Sequence, residues 1–149
     1  MEWNEKYNIG IDVIDNQHRQ ILDYINTLEA ILLNGSREKI KEVLDDLIDY
    51  TQSHFSFEEN LLEQVHYQYL PSHRGIHEHF VRRLNEYRTK FENGVSVEQD
   101  LYRLLSKWLI NHIQHDDQDY VDSVRDNMLH YLRSQEQKKG KSWFARFFS

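Results

Sequence analysis

An all-α fold, an up-down-up-down antiparallel four-helix bundle, is what this sequence predicts, and three observations predict it. Apolar residues recur in alternating steps of three and four along four separate segments. One proline and five glycines in 149 residues leave few breaks for the helices to avoid. Strand-type alternation is missing, and short polar turns separate the four segments, which favours antiparallel neighbours.

Each element has its own signal. Residues 1–11 carry no period and read as an irregular arm, with Trp3 and Tyr7 as packing anchors. The first helix holds the stripe Ile14, His18, Ile21, Ile25, Leu28 and Leu32, and Asn34-Gly35-Ser36 ends it. Ser36 is placed to cap the second helix, whose stripe is Ile40, Leu44, Leu47, Thr51, His54, Glu58, Leu61 and Val65. After a loop around His66 to Pro71, Ser72 is the expected cap of a third helix with the stripe His73, His77, Phe80, Leu84, Tyr87 and Phe91. Asn93-Gly94 closes it, and Ser96 with Gln99 has the spacing of a capping box. The fourth helix carries Leu101, Leu105, Trp108 and His112 and runs on to about Leu132.

Composition narrows the function. A formal charge of −7 speaks against nucleic acid as a partner, since phosphate contacts need a basic face. With no cysteine, disulfides, thiolate zinc sites and iron–sulfur clusters drop out together. The opening MEWNEKYN has neither the basic nor the apolar run of a signal peptide, so a cytoplasmic location is expected. Two regions are expected: a bundle over 1–134 and a tail over 135–149. The tail carries four basic residues and one acidic, +3 against −10 for the rest, and its Trp143, Phe144, Phe147 and Phe148 share one helical face. Residues 138–149 therefore suggest docking to a membrane surface or a protein partner, beside the plainer reading that they pack on their own acidic bundle.

The histidines are the informative residues. His18, His54, His73, His77 and His112 all fall on inward stripes, as does Glu58. A single core histidine is ordinarily a hydrogen-bonded structural residue. Five from four facing helices, with an acid among them, are better satisfied together by a bound cation. Five imidazoles exceed what one ordinary site takes, and with bridging carboxylates they suit two metal ions. Imidazole favours iron, zinc, copper or nickel over calcium or magnesium, without choosing among the four. A second acid lies at Asp116 or Asp117. On a regular helix Asp116 shares the face of His112, and Asp117 points about 140° away. The downstream stripe Val121, Val124, Met128 and Tyr131 nevertheless counts back to Asp117, a one-residue slip that a π-bulge absorbs, whereas Tyr120 permits a stripe through Asp116. His66, His79, His115 and His130 read as surface residues.

Taken together, these motifs resemble hemerythrins, and bacteriohemerythrins in particular. The resemblance rests on the opening from Trp3 through Tyr7, Gly10, Asp15 and Gln17 to His18, on HFSFE from His54 to Glu58, on HRGIH from His73 to His77, and on WLINHIQHDDQDY from Trp108 to Tyr120. It covers Trp3 to about Leu132. One departure is Tyr67-Gln68, where relatives often carry Tyr-Pro; the proline of this chain is Pro71. The resemblance implies two iron ions with an oxo or hydroxo bridge. His73, His77 and His112 would hold one, His18 and His54 the other, and Glu58 and Asp117 would bridge them. One iron is left an open position, and reversible dioxygen binding by a non-enzymatic carrier or store is the implied activity. Ile21, Leu109 and Ile113 are expected to line a dry pocket there. The alternatives are an oxygen, redox or NO sensor, an iron-handling protein, and a di-iron oxidase. The last usually relies on more carboxylates than this chain offers.

Overall fold

The computed structural model describes residues 2–121, 125 and 127; the rest of the segment expected to form the fourth helix, and the tail with its docking expectation, lie outside the described residues. After a 3₁₀ turn at Glu5–Tyr7 come α1 (Asp12–Leu32), α2 (Arg37–Gln64), α3 (Leu70–Glu92) and α4 (Glu98–Asn111). A π-helical turn, His112–Asp117, follows directly, and residues 118–121 return to α-helix. Each helix packs on the next and α4 closes against α1, the ring adjacency of an antiparallel four-helix bundle. No strand occurs among the described residues, and none of their helices is long and apolar enough to cross a membrane.

The predicted stripes form the core. All eight stripe residues of α2 are buried, from Ile40 to Val65. In α1 the buried set runs Ile14, His18, Ile21, Ile25 and Leu28; in α3 it is His73, His77, Phe80, Leu84 and Phe91. Leu32, Tyr87 and Trp108 are only half-buried, and Leu109 takes the inward place on α4 beside Leu105.

Helix ends follow local chemistry with two departures from expectation. Ser36 Oγ accepts from Lys39 N at 3.2 Å and caps α2. A Cβ on Gly35 would lie 2.5 Å from the Ile31 carbonyl oxygen, so that tight turn needs glycine. Ser72, however, does not cap α3. The helix starts earlier, at Leu70, with Pro71 in its first turn, where a missing N–H leaves nothing unpaired. Likewise α4 starts after Val97 with no side-chain cap, so Ser96 and Gln99 form no capping box; Glu98 and Asp100 in the first turn complement its dipole instead.

Two helices end in Schellman motifs. At the end of α3, Gly94 N donates to Phe91 O and Val95 N to Lys90 O, both at 3.0 Å, with Gly94 at φ 89°. At the end of α2, His66 N donates to Glu63 O at 3.1 Å and Tyr67 N to Leu62 O at 3.0 Å. Here the left-handed position, φ 59°, is held by His66 rather than glycine. The turn places Tyr67 inside, against the ring of Tyr120. Relieving the backbone at His66 should stabilise the fold: His66→Gly is expected to add about 1 kcal/mol and raise the calorimetric Tm by about 3 °C. An unchanged or lowered Tm would show that the histidine is not strained there.

The arm is tied down rather than loose. Asp15 accepts from Ile9 N at 2.8 Å and Gly10 N at 3.2 Å, and Gln118 donates its side-chain amide to Asn8 O at 3.3 Å. The Trp3 and Tyr7 rings meet edge-on at 5.5 Å, half-buried against the core, as anchors should.

Candidate metal centre

Seven side chains from all four helical segments meet at the bundle axis, and all seven are buried. α1 supplies His18, α2 supplies His54 and Glu58, α3 supplies His73 and His77, and the π turn supplies His112 and Asp117. Four-residue spacing puts His54 and Glu58, and His73 and His77, on common faces. Asp117 reaches the axis by the turn itself. The extra residue within His112–Asp117 rotates it from the outer side to full burial, while Asp116 stays half-buried. The two readings left open by spacing thus resolve, with Asp117 inside.

The ligand-type atoms divide into two groups. Glu58, His73, His77, His112 and Asp117 each offer one atom within 4.8 Å of all the others, and so do His18, His54, Glu58 and Asp117. Glu58 and Asp117 belong to both. Glu58 Oε1 lies 2.5 Å from His73 Nε2 and 3.2 Å from His77 Nε2, and its Oε2 is 3.7 Å from His54 Nε2. Asp117 approaches His18 Nε2 at 3.1 Å, His112 Nε2 at 3.1 Å and His73 Nε2 at 3.3 Å. Yet none of these three contacts is aligned as a hydrogen bond. Both Asp117 oxygens, both His18 nitrogens and His54 Nε2 are buried without a hydrogen-bond partner.

Outer partners show which way the rings are polarised. His77 Nδ1 donates to Glu59 Oε2 at 2.8 Å, His112 Nδ1 to Asp116 Oδ2 at 2.9 Å, and His54 Nδ1 to Gln17 Oε1 at 2.6 Å. An acceptor on Nδ1 keeps the proton there, so the neutral ring presents an Nε2 lone pair inward. His77 Nε2 and His112 Nε2 face each other at 3.1 Å. Two lone pairs at that distance repel unless something positive joins them. The donor set therefore fits a metal site, and its carboxylates fit one that two ions share.

The charges of the site set its ionisation. Burial pulls His112 down, but Asp117 and then Asp116 outweigh it and push the ring up to about 10. Burial pulls His73 down too, but Asp117 and Glu58 outweigh it and push the ring up to about 9. His54, lowered to about 3 by burial and by His18 beside it, stays neutral. Burial pushes Asp117 up, yet the charge of His112 overrides this and holds it well below the usual carboxylate range. Glu58 is also lowered on balance: burial and Asp117 raise it, His73 and His77 bring it down. Tyr120 is driven well above its ordinary value by burial and by Glu58, so its neutral hydroxyl donates to Glu58 Oε2 at 3.2 Å.

Aromatic rings wall the three-imidazole side. Phe55 stacks on His77 at 3.8 Å, and Trp108 lies between Phe80 at 3.6 Å and His112 at 4.4 Å. His66, His79 and His115 are exposed and take no part; His130 is outside the described residues. Sequence reasoning gives no role to Glu59, names Gln17 and Tyr120 only as motif residues, and weighs Asp116 only as a rival ligand. The contact of Glu59 with His77 crosses from α2 to α3, so no spacing within one helix announces it. Asp116 did have a signal: it lies four residues after His112.

Comparison with known proteins agrees with this geometry. The sequence model of the hemerythrin HHE cation binding domain matches residues 9–124. A bacteriohemerythrin of Pseudomonas paraeruginosa (strain DSM 24068 / PA7) is 44% identical over 144 residues, 97% of this chain and 92% of that protein. One from Clostridium acetobutylicum is 29% identical over 129 residues, covering 80% of this chain and 98% of its own. A crystal structure of wild-type hemerythrin superposes with a TM-score of 0.77 at 33% identity, covering 80% of this chain and 94% of the other. With the motifs, the bundle and the convergent donor set in agreement, this chain belongs to the hemerythrin family.

Proposed function

We propose that the chain binds dioxygen reversibly at a dinuclear nonheme iron centre, as a carrier or store rather than an enzyme. The observation that carries this reading is the pair of overlapping donor groups that share Glu58 and Asp117. His73, His77 and His112 would hold one iron, His18 and His54 the other, and the two shared carboxylates, Glu58 and Asp117, would serve both. When bound, the iron pair with its oxo or hydroxo bridge supplies the electrons and the vacant position that dioxygen uses.

The protein's contribution is positioning and exclusion. Gln17, Glu59 and Asp116 fix the tautomer and orientation of three rings. Tyr120 holds the Glu58 oxygen nearest the two-imidazole side, the one 3.7 Å from His54. Ile21, Leu109 and Ile113 are all buried and apolar. As the proposed lining of a dry space at the two-imidazole position, they would keep water and proton donors from it.

Iron analysis with optical spectra tests the proposal. The expected result is two irons per chain, a colourless reduced protein, and a charge-transfer band that grows in air and vanishes on degassing. Absorbance that never reverses would replace the carrier by an oxidase or a redox sensor. Sub-stoichiometric iron after anaerobic loading would remove the dinuclear centre altogether.

A further inference from the structure

The two halves of the centre differ in what stands behind their imidazoles. On the three-imidazole side two rings are backed by carboxylates: His77 Nδ1 by Glu59 Oε2 at 2.8 Å and His112 Nδ1 by Asp116 Oδ2 at 2.9 Å. On the two-imidazole side His54 Nδ1 meets the neutral amide of Gln17, and His18 Nδ1 is buried with no hydrogen-bond partner. Glu58 and Asp117 are common to both halves and so cannot distinguish them. We propose that Glu59 and Asp116 are positioning residues that set an electron-donor gradient across the centre, lowering the one-electron potential of the three-imidazole position relative to the two-imidazole position. This rests on the dinuclear reading above.

The physical argument is one of charge behind a ligand. A carboxylate on Nδ1–H draws the proton outward and leaves the inner nitrogen a stronger donor, which favours the more highly charged metal ion. A neutral amide orients a ring equally well but adds no charge. Arg74 approaches the other oxygen of Glu59 at 3.3 Å and takes up part of its field, so Glu59 acts as a partly neutralised carboxylate. In the step concerned, one electron passes from the ferrous ion at the three-imidazole position to an oxidant such as ferricyanide, which becomes ferrocyanide. No bond forms or breaks.

Two substitutions separate charge from orientation. Glu59→Gln keeps a hydrogen-bond acceptor for His77 and removes the charge; Gln17→Glu keeps the acceptor for His54 and adds one. Spectroelectrochemical titration of iron-loaded protein reads both one-electron couples. In Glu59→Gln the lower couple should rise by about 59 mV, a tenfold change in its equilibrium constant, and the higher should stay. In Gln17→Glu the higher couple should fall by a similar amount, narrowing the gap. If Gln17→Glu fails to fold, Asp116→Asn takes its place and should again raise the lower couple. Charge variants that load two irons and leave both couples unmoved overturn the gradient while leaving the oxygen-binding reading intact. A wild-type chain that does not hold two irons overturns both.

Discussion

Stripping the metal should lower the unfolding midpoint by about 10 °C, and the gap between loaded and stripped protein should widen as pH rises from 6.5 to 9. A ligand that binds only the folded chain stabilises it by about 4 kcal/mol at a thousand times its dissociation constant. For a chain of this size each kcal/mol is worth about 2–4 °C. The pH dependence follows from the histidines. In the stripped protein His73 is raised to about 9 and His112 to about 10. Their contribution is complete below the unfolded histidine value of about 6.5 and is lost as pH rises through those folded values. His54, lowered to about 3, acts in the opposite sense. Below about pH 6.5 the unfolded chain takes up a proton that the folded one refuses, so stability falls toward acid. Stripped protein should therefore be most stable near pH 6.5. Metal binding must displace the protons on His73 and His112, so its contribution grows with pH over the same range, by about 1–3 kcal/mol per unit. Calorimetry of both forms from pH 6 to 9 measures this, and a gap independent of pH would mean those rings carry no protons in the stripped state.

On the dinuclear reading proposed above, replacing Asp117 by Ala should reduce anaerobic iron loading from two ions per chain to at most one, whereas Asp116→Asn should keep both and weaken the one held by His112 by about 10–100-fold. The contrast follows from the π turn. Asp117 belongs to both donor groups, so its loss removes a donor from each. Asp116 touches only the outer nitrogen of His112. In an unbroken α-helix the roles would reverse, with Asp116 on the His112 face and Asp117 outside. Iron per chain after passage through a chelating column separates the cases. Equal loss in the two variants would mean that the turn does not fix which acid points inward.

Much of this was legible before any coordinates. The alternation of three and four placed His18, His54, Glu58, His73 and His77 inward because burial on a straight helix depends only on phase. Asp117 was not fixed by phase, because a π turn changes the phase, and its one outward sign was the register of the stripe beyond it. The start of α3 differs from expectation because Pro71 and Ser72 both favour a helix N-terminus, and the helix begins at Leu70 with the proline in its first turn. Ser96 failed as a cap because the helix begins after Val97. The outer acceptors Gln17 and Glu59 were invisible for a different reason. Each pairs with a histidine on another helix, and such pairings depend on how helices rotate against each other, which local pattern does not encode.

All seven inward donors sit on helical backbone, and none comes from the three connecting segments. The donors are thus carried by rods, and the linking loops supply none of them. Loop length, attached sequence and surface charge remote from Glu59, Arg74 and Asp116 can drift, or be redesigned, without retuning the core, provided the rods keep their rotation. A scaffold of this kind separates what the molecule does from whom it meets.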